Sequence, residues 1–184
     1  MHVEPKPLKN YPWFIQPFFW SQKRRYGKVL QPGLLWARIP LVFMPLALLY
    51  GALDRRSSKI SPALRSLVTV RVSQINHCAF CVDINSATLM KRGVTEEKVS
   101  LLPEWKSNPM FSPSEKAALA YTEAMTITGT KPEDMPVAEL RKYFDDDSIV
   151  ELTAVVAFQN MSSKFNSALD VPPQGFCRIP KKIG

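Results

Sequence analysis

Two thiols three positions apart, in the run Cys78-Ala79-Phe80-Cys81, are the side chains whose type and spacing most directly suggest chemistry. On a helix, residues i and i+3 share a face, so the sulfurs can meet. A helix that starts at or just before Cys78 puts both thiols in its first turn. Free backbone N–H groups and the positive end of the helix dipole favour thiolate over thiol there. A thiolate attacks a peroxide O–O bond or a disulfide. Attack on peroxide leaves a sulfenic acid, which a second thiol within reach condenses to a disulfide that an external dithiol can reduce. The spacing therefore suits a two-cysteine peroxidase or a disulfide exchanger. The competing reading is a pair of small buried hydrophobes. Cys177 has no partner at short spacing and reads as a bystander.

Other counts close off chemistries. A single Cys-x-x-Cys lacks the second pair of a structural zinc site, and two histidines, His2 and His77, cannot form a multi-histidine centre. The seven glycines form no phosphate-cradling loop, which argues against nucleotide binding by a Rossmann or P-loop turn. No cofactor is expected. His77 adjoins Cys78, and imidazole exchanges protons near neutral pH, although an exposed residue at a helix entrance is the plainer reading. Asp83 reads as a charge complementing a helix N-terminus. Glu123 reads either as a surface residue or as a pocket acid.

The elements that must position the pair follow from the punctuation of the 184 residues, 46% of them hydrophobic. Ser61-Pro62 reads as an N-cap followed by a first-turn proline. A second helix is expected from the cysteine pair through Met90, with Gly93 as its stop. Thr95 caps a short helix to Leu102. Ser112-Pro113-Ser114-Glu115 and Ser148-Ile149-Val150-Glu151 read as capping boxes, the second opening a helix to about Leu169. Almost no stretch alternates polar and apolar residues, so the expected class is all-α, a helical bundle in a single domain.

The first sixty residues hold ten Lys/Arg against Glu4 and Asp54, and so carry the whole net charge of +8. Trp13–Trp20 reads as an amphipathic helix, without the residue order of a secretory signal. Leu34–Leu53 has the length of a membrane span but contains Arg38, Pro40 and Pro45. A mid-membrane arginine costs about 2.5–3.5 kcal/mol on insertion scales, so a buried helix beginning near Pro40 is expected instead. The organisation is then residues 1–39 as a basic extension with one helix, 40–173 as the helical domain and 174–184 as an extended tail. Lys23-Arg24-Arg25-Tyr26 stands without a nucleic-acid-binding motif and reads as a solvated helix end, so no nucleic-acid partner is expected. The charge excess is expected to concern docking, including peripheral membrane contact through residues 1–60, or subunit packing, and not the substrate.

The run from Leu67 to Ser86, which encloses the cysteine pair, and the following Lys91-Arg92-Gly93-Val94 resemble the carboxymuconolactone decarboxylase family. More closely they resemble its alkylhydroperoxidase D-like branch. Trp105, Phe111–Tyr121, Ile149–Thr153 and the stretch from Asn160 to Val171-Pro172-Pro173 are similar to that branch too, so the resemblance spans roughly residues 40–173. It implies an all-α fold assembling as a homo-oligomer, often a trimer or hexamer, a cytoplasmic setting, a peroxide or disulfide substrate and an external dithiol reductant. It also implies that Cys81 attacks peroxide while Cys78 resolves the product and meets the reductant. Helix-end electrostatics alone would favour Cys78 as the more reactive thiol. The branch's motif is Cys-x-x-Cys-x-x-x-His with a glutamate twelve residues before the first cysteine, both taken to relay protons. The corresponding residues here are Asn85 and Ser66. Asparagine is no general base and serine is a weak one, so a water held between them is the substitute available. The alternatives to a thiol oxidoreductase are a relay-less redox-sensing or oligomeric binding module and a carboxymuconolactone-type decarboxylase.

Overall fold

The computed structural model describes residues 1–177, and among these all regular structure is helical. Nine α-helices follow in order: α1 (Gln16–Tyr26), α2 (Gln31–Trp36), α3 (Pro40–Leu53), α4 (Pro62–Ile75), α5 (Ala79–Lys91), α6 (Glu96–Ser100), α7 (Pro113–Thr126), α8 (Val137–Leu140) and α9 (Asp146–Ala168). The all-α, single-domain expectation holds.

α4 is the central helix and packs against α5, α7 and α9. Its sequence explains its place. Leu67, Val68, Val70 and Val72 are all buried, and a helix apolar on several faces must be covered on several sides. One side of α4 meets Ala117, Ala118 and Tyr121 of α7 and Leu152, Val155 and Val156 of α9. Another meets Leu89, Val99, Leu102, Trp105 and Phe111. Each fully buried Leu or Val adds about 1.5–3 kcal/mol relative to exposure.

The caps fall largely where the sequence puts them. The side-chain oxygens of Ser61 and Thr95 accept from the N–H groups of Leu64 and Lys98, and Ser112 with Glu115 forms a capping box. Gly93 takes φ +88°, the left-handed conformation that ends α5 without a Cβ penalty. α9 departs from expectation. It is capped by Asp145, whose carboxylate accepts from the Ser148 N–H at 2.8 Å, so the helix begins before Ser148. Glu151 is then no cap residue; it pairs with Arg55 at 2.7 Å.

The N-terminal third differs more. Residues 1–39 carry two α-helices, because Gly27 at φ +76° ends α1 and Pro32 starts a new turn. Tyr11, Ile15 and Phe19 bury themselves with Ala37 and Phe43, forming a second layer over the bundle. α3 starts at Pro40 as expected but is not a buried helix. Only Phe43 is buried, while Leu41 is 89% and Leu48 71% exposed. Its fourteen residues include no charged side chain, so an apolar surface faces outward. No helix among the described residues is long and apolar enough to cross a membrane.

Residues 172–177 form no regular element and bend at Gly175, which takes φ +76°, and 174–177 is tied to the bundle. Asp83, buried on α5, accepts from the N–H groups of Gln174 and Gly175, each at 2.8 Å, and of Cys177 at 2.7 Å. Its carboxylate therefore holds a returning stretch of irregular backbone instead of complementing the helix end. The remainder of the expected tail lies outside the described residues.

Candidate active site

Cys78 is the N-cap of α5. Its sulfur accepts the N–H of Cys81 at 3.2 Å, so the two cysteines meet across one helical turn. Both are buried, at 1% and 3% exposure, among Leu35, Phe80 and Val171, with Met1 and Val3 packed above. The sulfurs are unequal. The Cys81 thiol donates to Cys78, and although burial opposes it, this bond together with the N–H groups of Cys81 and Phe80 and the Asn166 amide holds Cys78 below the ordinary thiol range. That same hydrogen bond, reinforced by burial, pushes Cys81 up. Ionisation is thus favoured at Cys78 over Cys81.

Access is unequal in the opposite sense. A cavity of about 520 Å³ lies between the N-terminal layer and helices α4, α5 and α9; Cys81 lines it and Cys78 does not. The resemblance implied that Cys78 meets the external reductant, but Cys78 is covered and the sulfur reachable through the cavity is that of Cys81. Phe18, Tyr26, Trp36, Phe43 and Tyr50 form the wall given by α1–α3, and Phe80 and Phe158 lie across from them. The basic third of the chain therefore builds half of the cavity and places Arg25 on it.

The positions of the absent relay lie apart in function. The Asn85 amide donates to Ser73 Oγ at 3.1 Å, and Gln159 donates to the same oxygen at 3.0 Å. The Ser73 hydroxyl donates in turn to the Thr69 carbonyl at 2.6 Å. Ser66, nearly one helical turn from Thr69, accepts from Arg92 at 2.9 Å. Asn85 and Ser66 both line the cavity, but each is bound to a different partner. His77 is exposed in the α4–α5 turn at φ +50° and does not line the cavity. Glu123 is neither a surface nor a pocket acid. Its carboxylate accepts from the Trp105 indole at 2.8 Å and the Arg71 Nε at 2.8 Å, with Lys106 at 3.1 Å, away from the cavity.

Sequence reading missed Asn166 and Gln159. The Asn166 amide donates to Cys81 Sγ at 3.2 Å, and its Oδ1 is buried without a partner among the described residues. A signal was present: Gln159, Ser163 and Asn166, spaced by four and three, continue the buried stripe of Leu152, Val155 and Val156 along α9. Polar residues on a core-facing stripe must find polar partners, here Ser73, Asn76 and Cys81.

Comparison with known proteins agrees with this architecture. Residues 42–124 match the carboxymuconolactone decarboxylase family. The uncharacterised protein YnjA of Escherichia coli is 40% identical over 176 residues, 96% of this chain and 97% of that protein. A peroxidase-related protein of Ralstonia eutropha, described as an alkylhydroperoxidase AhpD core, superposes with a TM-score of 0.86 at 19% identity, covering 98% of this chain and 97% of that one. The debrominase Bmp8, in a cysteine-to-alanine variant complexed with 2,3,4-tribromopyrrole, superposes with a TM-score of 0.82 at 19% identity, covering 96% and 93%. With its helical core, its paired cysteines at the start of α5 and this match, the chain belongs to the carboxymuconolactone decarboxylase family.

Proposed function

We propose that the protein is a thiol-dependent oxidoreductase in which Cys81 attacks an electrophile held in the cavity and Cys78 serves first as its base and then as the resolving thiol. The observation that carries this reading is the placement of the two sulfurs: Cys81 lines the cavity, while Cys78, one helical turn away and accepting the Cys81 N–H at 3.2 Å, is covered. As Cys81 sulfur bonds to the terminal oxygen of a hydroperoxide, its proton passes to Cys78 and the O–O bond breaks, giving a Cys81 sulfenic acid and an alkoxide. The alkoxide takes the proton from Cys78, and the Cys78 thiolate displaces hydroxide from Cys81. The products are an alcohol, hydroxide and the disulfide, and an external dithiol restores the pair. Such a pair does in one step what a separate carboxylate and imidazole do elsewhere.

The aromatic lining favours a second electrophile of the kind bound by the debrominase, a halogenated aromatic ring. There the sulfur takes the halogen, the ring carbon takes a proton, and Cys78 displaces halide to leave the same disulfide.

The test uses Cys177→Ser protein, so that only the pair is counted. One equivalent of cumene hydroperoxide should consume two thiols and lower the protein mass by the two hydrogens lost, with cumyl alcohol as product. Intact thiols after prolonged exposure would refute the peroxidase form, and intact thiols with bromopyrroles as well would refute the reading.

We also propose that a second copy of the chain covers α3. The outward Leu41, Val42, Met44, Leu48 and Leu49 expose an area on the order of 500 Å², a large part of the ~800 Å² each partner gives to a standard interface. Sedimentation should show an oligomer that the Leu41→Glu/Leu48→Glu double variant converts to monomer. A wild-type monomer that binds anionic vesicles would show instead that a lipid surface covers this helix.

A further inference from the structure

The end of the cavity away from the cysteines carries an unbalanced positive charge. Arg65 is 4% exposed and lines the cavity, yet its Nε has no hydrogen-bond partner among the described residues. Its other nitrogens reach the Ile60 carbonyl at 2.6 Å and the Arg55 carbonyl at 3.3 Å, both neutral acceptors. The carboxylates nearby are already taken. Asp54 lies 2.6 Å from Arg92 and 3.6 Å from Arg65, and Glu151 pairs with Arg55. Three guanidinium groups thus share two carboxylates, and the least compensated is the one most deeply buried. A buried guanidinium ordinarily has its counter-charge, so the arrangement lacks one anion. Ser66, short and uncharged beside Arg92, leaves room for it on the cavity wall.

The separation of this end from the reacting sulfur follows from α4. Arg65 and Ser73 are eight residues apart, about 12 Å at the helical rise, and Ser73 is level with the cysteine turn, since Cys78 N–H donates to its carbonyl. Between them Thr69, Asn85 and Thr88 line the α4–α5 side, while Phe43, Phe80, Ile84 and Val155 supply the apolar and aromatic part of the wall. At the cysteine end, the unpartnered Asn166 Oδ1 offers an acceptor for an O–H on the reacting group.

We propose that the cavity binds an elongated amphipathic carboxylate, with its anionic end at Arg65 and Arg92, an apolar body along the aromatic wall and its reactive group at Cys81. This rests on the oxidoreductase reading only for what happens at Cys81; the binding itself needs no chemistry. A free peroxide of a few atoms would leave most of the 520 Å³ unfilled.

Calorimetric titration of the full-length Cys81→Ser variant, which cannot turn over, separates the two claims. Decanoate should bind about tenfold or more tightly than 1-decanol, because a carboxylate on a buried guanidinium makes charge-assisted bonds. Acetate should not compete with it. Arg65→Gln, with its folding checked by circular dichroism, should erase the preference for decanoate. Should that variant fail to fold, the comparison of decanoate with decanol in Cys81→Ser decides alone. Equal affinity, a preference for decanol, or no binding of either would overturn the proposal. A clear decanoate preference in a protein whose wild-type thiols never oxidise would uphold the site and remove the redox reading; disulfide formation without carboxylate preference would do the reverse.

Discussion

Cys81→Ser should abolish peroxide turnover to the uncatalysed background, whereas Cys78→Ser should slow the first step by about 10²–10⁴, the usual contribution of a positioned base. The asymmetry comes from geometry. Cys81 is the sulfur on the cavity, so its loss leaves no nucleophile where an electrophile can sit, even though Cys78 keeps its tendency to ionise. In Cys78→Ser the nucleophile stays in place but keeps its proton. Burial alone pushes Cys81 up, and serine is a poor acceptor of that proton. Made in the Cys177→Ser background, so that Cys81 is the one thiol left, this variant should then stop at a sulfenic acid on Cys81, detectable by dimedone adduct mass, and drift to sulfinic acid with excess peroxide. In wild type the first-step rate should rise with pH through an ionisation below the ordinary thiol range, since the base is Cys78 in its thiolate form. Cys78→Ser should lose that inflection and keep only a higher one. Stopped-flow reaction of each variant with cumene hydroperoxide reads all of this. Equal rates in the two single variants would mean that the pair does not divide the labour in this way.

The cysteine turn was legible because everything that shapes it is local: the i, i+3 spacing, the break between α4 and α5, and the left-handed Gly93 that stops the second helix. The caps at Ser61, Thr95 and Ser112 were legible for the same reason. Ser148 misled because serine is a good cap by type, while Asp145 three residues earlier is one too, and the charged acceptor nearer the loop took the first turn. What could not be read was long-range. Asn166 reaches Cys81 across 85 residues, and Asp83 catches backbone more than 90 residues away. Residues 1–60 looked like an appendage because their charge differs from the rest, yet charge sets neither packing nor cavity walls. Phe18 meets Phe19 and Phe43 edge-on, Phe19 lies tilted against Phe43, and the three hold α1 and α3 together over the bundle. The exposure of α3 was hidden for a related reason: an apolar helix announces burial, but not whether its own chain does the burying.

Glu123→Gln should destabilise the fold by about 3 kcal/mol at neutral pH, in the range expected when one partner of a buried ion pair is removed. The carboxylate sits on α7 at 7% exposure, with Arg71 Nη2 at 2.6 Å and Nε at 2.8 Å, the Trp105 indole at 2.8 Å and Lys106 at 3.1 Å. Glutamine keeps one acceptor oxygen for the indole. It removes the charge that compensates a mostly buried guanidinium and turns an amide NH₂ toward the Lys106 ammonium. The effect should depend on pH with a definite sign. Burial would raise this carboxyl, but the hydrogen bonds from Trp105, Arg71 and Lys106 outweigh it and hold it below its ordinary 4.5. A carboxylate whose folded-state pKa is depressed contributes its full stability above the unfolded value and loses it as pH falls through the folded one. Urea unfolding of wild type should therefore weaken on acidification below about pH 4.5 more steeply than that of the variant, and the gap between them should narrow. Trp105, one of the carboxylate's own partners, contributes to the fluorescence that follows the transition. A deficit that stayed constant from pH 7 to pH 3 would mean that the substitution acts through packing and that the charge on Glu123 contributes nothing.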